Sequence, residues 1–360
     1  MKTTKHILTL MISAGMLATL SSCSREDDPI PDIPPSEGTS MELNGGEGGA
    51  DAENTVFVDL STAKQTAVAR DSWNLAFYNG DAFRVRLNNT SGSSAIEVDA
   101  TDLSAVSESD INPDDLAIQL GDPDGFGNID DLTGDISKTL IPEVSEEEAS
   151  NKVYVINPKG GHHGQTISVD DLYKVRITRS GSDYQLEYAA LNDTETKTAT
   201  ISKDDTYNYQ FFSFTDGAVS VEPAKADWDF RFTWSLHTGQ MPTGELYPYS
   251  YSDLILINHM NGVEIAEVIF QDEDGSSNDN PDYESFEAGN VSELTFSKEE
   301  GAFASTWRKT TGTPLGALYD RYYVIKDAAG NVYKLKFISM GVGEDAGTRG
   351  YPELEYKLVQ

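Results

Sequence analysis

The feature of this sequence that most restricts its fold is a series of short strand-like segments that occurs twice in the same order. Residues 73–77 (WNLAF) are echoed by residues 228–232 (WDFRF). Near the end of each copy, residues 153–156 (VYVI) are echoed by residues 322–325 (YYVI). Chance can produce one such match between apolar segments, but several matches in one order indicate an internal duplication.

The segments of each copy alternate apolar and charged residues. Residues 84–87 (RVRL) and 333–337 (YKLKF) place apolar side chains at every second position, as in a strand with one buried face. Residues 327–331 (DAAGN) provide turn formers between two such segments and predict a hairpin. Because long segments with a helical period are hard to find, we predict an all-β fold made of two tandem antiparallel β domains with minor helix.

Composition divides the chain into four predicted regions. Residues 1–22 are predicted to be a lipoprotein signal peptide, and residues 23–52, rich in proline, glycine and acidic residues, a flexible tether. The polar run at residues 192–196 predicts a boundary between the two copies. The divergent N-terminal repeat is therefore expected at residues 53–195 and the C-terminal domain at residues 196–360.

The N-terminus has the pattern of an exported, lipid-anchored protein. Lys2 and Lys5 precede an apolar run at residues 7–20, which is short for a transmembrane span. The run ends in Leu-Ser-Ser-Cys, which resembles the bacterial lipobox, so Cys23 is the predicted site of lipidation. Acyl chains there would hold the mature protein on a membrane without spanning it. The acidic residues 24–28 are similar to the surface-export signal of Bacteroidetes lipoproteins and predict display on the outer membrane.

Charge and motifs limit the classes of function. The chain has 60 Asp and Glu against 26 Lys and Arg, a net charge of −34. Such a chain repels nucleic-acid phosphates and anionic lipid head groups, so we exclude nucleic-acid binding and expect membrane contact through the lipid anchor only. The sequence contains no H-E-x-x-H, G-x-S-x-G or Walker A motif, so we expect a binding protein and not an enzyme.

The aromatic segments of the second copy resemble a known family. Residues 209–217 (YQFFSFTDG), followed by Trp228-Asp229, are similar to the opening of HmuY, the haem-binding lipoprotein family of Bacteroidetes. Residues 323–337 and 353–356 resemble its last strands. The resemblance implies an all-β, hand-like domain that holds haem between extended loops and passes it to an outer-membrane transporter. It also implies two axial iron ligands, either two histidines or two methionines.

The expected ligands are missing from their usual place. The resemblance puts them in the middle of each copy, but residues 97–150 and 271–318 contain no histidine or methionine. We therefore consider His and Met residues elsewhere in the C-terminal copy as haem-binding candidates. These candidates are His237, Met241, His259, Met260 and Met340. Each also has an ordinary structural explanation, as a residue of a loop, a strand end or the core.

Two other interpretations stay open. The chain could be a duplicated adhesion or glycan-binding surface lipoprotein that keeps the fold without ligating haem. Alternatively, the aspartate-rich residues 122–131 and 272–275 suggest bound calcium, which prefers several oxygens on a flexible loop. Neither segment has the spacing of an EF-hand.

Overall fold

A computed structural model describes residues 38–160, 166–272 and 274–360. These residues belong to one compact unit. The predicted signal peptide and Cys23 lie outside the described residues. Within the part of the chain that is described, no helix has the length and apolarity needed to cross a bilayer.

Strands dominate the regular structure, which confirms the predicted all-β fold with minor helix. The strands of the described residues are β1 (Thr39–Glu42), β2 (Asn54–Asp59), β3 (Lys64–Ala69), β4 (Leu75–Tyr78), β5 (Val85–Leu87), β6 (Ser94–Val98), β7 (Val153–Asn157), β8 (Tyr173–Ser180), β9 (Asp183–Ala190), β10 (Lys197–Ile201), β11 (Tyr209–Ser213), β12 (Gly217–Val219), β13 (Phe230–Gln240), β14 (Leu246–Ile257), β15 (Glu264–Ile269), β16 (Arg308–Lys309), β17 (Gly316–Ala317), β18 (Arg321–Lys326), β19 (Val332–Ser339) and β20 (Glu353–Leu358). The helices of the described residues are short 3₁₀ helices at Gly49–Asp51, Leu103–Ala105, Glu108–Asp110, Pro113–Leu116, Ile136–Lys138, Glu148–Ser150, Val169–Asp171, His259–Asn261 and Ala288–Glu293.

The strands form two sandwich-like pairs of antiparallel sheets. In the first pair, the sheet β10-β9-β8-β7-β6 lies against the sheet β12-β11-β4-β5, and alternate residues of both sheets form one core around Phe77, Ile156 and Leu186. In the second pair, β1-β20-β19-β18-β15 lies against β14-β13-β2-β3 around Phe232 and Leu335. The alternation seen in the sequence therefore places each apolar set in a core.

The sheets do not follow the boundary expected near residue 195. The hairpin β2–β3 pairs with β13 of the C-terminal half, through partners such as Phe57 and Arg231. Reciprocally, the hairpin β11–β12 pairs with β4 of the N-terminal half, through partners such as Phe211 and Ala76. This corrects the expectation of two separate tandem domains, because each sandwich contains strands from both halves of the chain.

The two repeated tryptophans pack on the exchanged hairpins. Trp73, just before β4, meets Phe211 of β11 edge to face, with ring centroids 5.0 Å apart. Trp228, just before β13, meets Phe57 of β2 in the same way at 5.1 Å. Such edge-to-face pairs contribute about 0.5–1.5 kcal/mol beyond area burial. The two tryptophans thus stabilise the pairing of each exchanged hairpin with the other half of the chain.

Matching contacts recur in the two halves. The Nδ2 of Asn88 donates to the carbonyl of Trp73 at 2.8 Å, and that of Asn258 donates to the carbonyl of Trp228 at 3.0 Å. The five-stranded sheets also have corresponding orders, with β15 at one edge in place of β6 and β1 at the other in place of β10. The duplication stays a prediction, with these parallels in its favour.

The first strand shortens the predicted tether. Thr39–Glu42 pair with β20, from Thr39 opposite Tyr356 to Glu42 opposite Glu353. Met41 and Leu43 are buried in the second core. Residues 39–42 therefore form a strand inside the region 23–52, which was predicted to be a tether, stiff near its prolines and flexible near its glycines.

Candidate functional site

One hairpin is much longer than its counterpart. β13 and β14 contain 11 and 12 residues, whereas β4 and β5 contain 4 and 3. Beyond Phe232, β13 has β14 as its only strand partner among the described residues, because β2 pairs only with residues 230–232. The outer part of this hairpin therefore extends past the sheet. We call it the extended hairpin, residues 234–252.

A bulge at the base of the extended hairpin sets its direction. The register shifts between Thr233 and Ser235, and Asp253 opposite them has a φ of +57°, which is uncommon for a residue with a side chain. Asp253 is only 3% exposed and accepts from both Nε and Nη2 of Arg349, at 3.1 and 2.7 Å. The indole of Trp307 donates to its carbonyl at 3.0 Å. These partners hold the bulge in one conformation.

One face of the extended hairpin is covered and the other is rich in tyrosine. Trp234 and Leu236 pack against a loop of the N-terminal half that includes Ile118 and Ile129. On the other face, three tyrosines of β14 lie opposite alternate residues of β13. Tyr251 pairs with Ser235, Tyr249 with His237 and Tyr247 with Gly239. We call this the tyrosine face; it consists of Ser235, His237, Gly239, Tyr247, Tyr249 and Tyr251.

The aromatic rings of the tyrosine face touch in series. The ring centroids of Tyr247 and Tyr249 are 6.2 Å apart, and those of Tyr249 and Tyr251 are 5.2 Å apart. His237 lies directly opposite Tyr249 and contacts Tyr251 edge to face at 6.0 Å. Tyr249 is 46% exposed, unusual for so large a ring. Directly opposed residues have Cβ atoms about 5 Å apart, so His237 and Tyr249 present an imidazole and a phenol side by side.

A buried ion cluster lies at the inner end of the same face. The carboxylate of Glu300 is 2.6 Å from Nη2 of Arg231 and 4.0 Å from Nη1 of Arg86. Burial by itself would raise the pKa of Glu300, but the two guanidinium groups outweigh it and lower the pKa to about 2. Burial raises the pKa of the neighbouring Tyr209 to about 12. At neutral pH the cluster therefore contains a carboxylate, a neutral phenol and two cations.

His237 lies between the ion cluster and the tyrosine face. It lines, together with Glu300 and Arg86, an interior cavity of about 30 Å³. That volume holds about one water molecule. Its Nε2 faces Gly301, where any side chain would collide with the imidazole. Burial lowers the pKa of His237, which favours the neutral ring, and Nδ1 lies 3.3 Å from the carbonyl of Thr238.

The other predicted candidates do not join His237 on one surface. Met241 follows β13 at the tip, where its carbonyl accepts from Gly244 at 2.8 Å. His259 lies in a 3₁₀ helix with Nε2 3.3 Å from the carbonyl of Gly134, and lines a separate hollow of about 390 Å³. Met260 packs partly buried on the cluster of Phe57 and Trp228, and Met340 is fully buried in the second core. Of the five candidates, His237 lies on the tyrosine face and Met241 at the end of the hairpin.

Sequence reasoning missed the tyrosines and the ion cluster. The three tyrosines alternate with Pro248 and Ser250, a period-2 pattern that could have marked them as one face of a strand. Glu300 and Arg86 offered no comparable signal, because segments distant in the chain bring them to Arg231.

The described residues do not support the calcium interpretation. Among them, no three histidine, cysteine or acidic side chains come together as metal ligands. Asp130 accepts from the backbone amides of Leu87 and Leu140, at 2.6 and 2.8 Å, and burial raises its pKa to about 6. Asp122 accepts from the amide of Asp124 at 3.0 Å. These carboxylates therefore accept hydrogen bonds from nearby backbone amides.

Haem would fit the tyrosine face better than the interior. The interior cavity is far too small for a porphyrin. The tyrosine face offers an exposed phenol and a half-buried imidazole, groups that ligate haem iron in proteins, beside rings on which a planar macrocycle can stack. The residues that would hold the group are His237 or Tyr249 for the iron, and Tyr247 and Tyr251 for the ring.

Comparison with known proteins identifies a family. The family described as HmuY protein matches residues 51–356. A crystal structure of apo PinO from Porphyromonas gingivitis has 10% sequence identity, covers 90% of this chain and 98% of its own, and superposes with a TM-score of 0.21. No curated protein matches the sequence.

Proposed function

Because this chain belongs to the HmuY family, whose members are surface binding proteins and not enzymes, we propose that it binds haem or a related porphyrin on the tyrosine face. In this proposal it is a non-catalytic lipoprotein, anchored through Cys23 to the outer membrane, that passes the ligand to an outer-membrane transporter. The observation that carries the binding site is the cross-strand pair of His237, which is half-buried, and Tyr249, which is exposed.

The position of the pair supports a binding role. Tyr249 is 46% exposed on a hairpin that extends past its sheet, where so large a ring would usually be covered. The covered face already anchors the hairpin through Trp234 and Leu236, so the exposed ring of Tyr249 on the other face is available to a ligand. Aromatic rings provide large contact area at low conformational cost.

Two arginines hold the base of the hairpin in place. The buried guanidinium of Arg308 donates to the carbonyl of Ser252, next to Tyr251. Arg349 forms an ion pair with Asp253 beside it. The strand that presents the tyrosine face is therefore fixed before a ligand arrives, which lowers the entropic cost of binding.

A haemin titration tests the proposal. We expect saturable binding with a shift of the Soret band, and a Kd at least about tenfold higher for Tyr249→Ala or His237→Ala, or about 1.4 kcal/mol. Tyr249→Phe keeps the ring and removes the phenol oxygen, so it separates stacking from iron ligation. Iron-free protoporphyrin, titrated in parallel, isolates the contribution of the metal.

The matched control is Tyr319→Ala, which removes an exposed tyrosine outside the tyrosine face. It should bind haemin as the unaltered protein does. The proposal is wrong if haemin produces no saturable shift. The assigned site is wrong if haemin binds and neither Tyr249→Ala nor His237→Ala weakens it.

A further inference from the structure

A second exposed aromatic ring lies away from the tyrosine face. Tyr319, between β17 and β18, is 60% exposed, the largest value among the large hydrophobic side chains of the described residues. Its hydroxyl donates to the carbonyl of Ile338 at 3.0 Å, which tethers one end of the ring. A ring that is exposed and yet held in place can act as a rigid contact surface.

Two surface hollows meet at this tyrosine. One has a volume of about 490 Å³ and the other about 310 Å³, and Leu318, Tyr319 and Arg321 line both. The second hollow is also lined by Phe337, which adds apolar surface beside the ring of Tyr319. Because three residues line both, the two hollows adjoin at Tyr319, and we call them together the groove.

The charges of the groove nearly cancel. Its lining has four carboxylates and three cations, with Arg321 shared by both hollows. The carboxylates are those of Asp272, Asp320, Asp282 and Glu284, and the cations are Lys309, Lys336 and Arg321. On a chain of net charge −34, a lining this close to neutral favours an uncharged ligand.

The charged side chains around Arg321 are held in fixed positions by hydrogen bonds. Nε and Nη2 of Arg321 donate to the two oxygens of Asp320 at 2.8 and 3.0 Å, and Nη1 donates to Glu267 at 2.9 Å. Such a network holds donors and acceptors in fixed positions before any ligand arrives, which reduces the entropic cost of binding. A ligand that fits must be neutral and must offer both an apolar face and many hydroxyl groups.

We propose that Tyr319 is the stacking platform of a groove that binds a neutral oligosaccharide. One sugar ring lays its C–H face on the tyrosine ring, and its hydroxyls, with those of the next sugar, bond to the carboxylate, amide and guanidinium groups of the walls. This site is separate from the proposed porphyrin site and does not depend on it.

Glycan-array screening of the full mature chain tests this proposal, followed by calorimetric titration with the strongest neutral oligosaccharide. We expect binding that Tyr319→Ala weakens at least tenfold and that Tyr319→Phe, which keeps the ring, changes less than threefold. Tyr249→Ala should leave saccharide binding unchanged, and Tyr319→Ala should leave haemin binding unchanged.

Three outcomes would overturn the proposal: no neutral oligosaccharide on the array binds, binding survives Tyr319→Ala, or Tyr249→Ala removes it. Because Tyr319 is largely exposed, its replacement should leave the melting temperature unaltered, so loss of binding cannot be attributed to unfolding.

Discussion

Replacement of Glu300 by glutamine removes the only carboxylate that forms ion pairs with Arg231 and Arg86 in the described residues. The side chain is 10% exposed, so solvent screens it little. Glutamine has nearly the same shape and can still accept a hydrogen bond from Arg231. The variant therefore isolates the charge of Glu300 from its volume.

The structure sets the size of the effect. The pKa of Glu300 falls from 4.5 to about 2 on folding, which corresponds to about 3 kcal/mol of stability. Because the folded-state pKa is the lower one, this stability is present above pH 4.5 and is lost as the pH falls toward 2. Loss of one partner of a buried pair typically costs about 3–5 kcal/mol, since a charge is left uncompensated. We expect Glu300→Gln to destabilise the protein by about 3 kcal/mol at pH 7.

Urea denaturation followed by tryptophan fluorescence at pH 7 and pH 3 measures this difference. The destabilisation should be smaller at pH 3, because at that pH the unaltered protein has already lost part of the stability that ionised Glu300 provides. The control is Glu264→Gln, which removes the partner of the exposed Lys298 at 3.0 Å and should cost less than about 1 kcal/mol. A Glu300→Gln effect no larger than that of the control at pH 7 would refute the reasoning.

Two further predictions concern the shared sheets and a buried acid. Cleavage at a protease site placed within residues 192–196 should leave the two halves of the chain associated, because β2–β3 and β11–β12 each pair with strands of the other half. Two fragments that elute separately in native size-exclusion chromatography would contradict this. Burial raises the pKa of Asp229 from 3.8 to about 7, so its ionisation removes stability as the pH rises through this range. Asp229→Asn, which keeps an acceptor for the amide of Leu60, should therefore be more stable than the native protein at pH 8 but not at pH 4 in urea denaturation, and equal stability at pH 8 would count against it.

Local pattern located the strands well. Residues 322–325 and 333–337 were predicted as strands joined by a hairpin, and they are the interiors of β18 and β19. The prediction succeeded because alternation and turn-forming residues act within a few positions of the chain. His237 was a candidate only because histidine ligates haem iron; it was interpreted as a loop residue, and the structure places it inside β13.

The rest of the candidate site could not be found in this way. The face on which Tyr249 lies depends on the bulge at Asp253, and Arg349, almost a hundred positions away, holds that bulge. Glu300 reaches Arg231 and Arg86 only after segments from both halves have packed together. Neither relation leaves a periodic trace in the sequence.

The sequence by itself determined that this chain folds into antiparallel strands, and where most of them lie, because side-chain alternation is a property of each segment alone. Only the tertiary structure decided which strands pair. A strand edge offers the same backbone donors and acceptors to any partner. The choice therefore rests on side-chain packing between distant segments, such as Trp73 on Phe211 and Trp228 on Phe57, which sends each hairpin across to the other half.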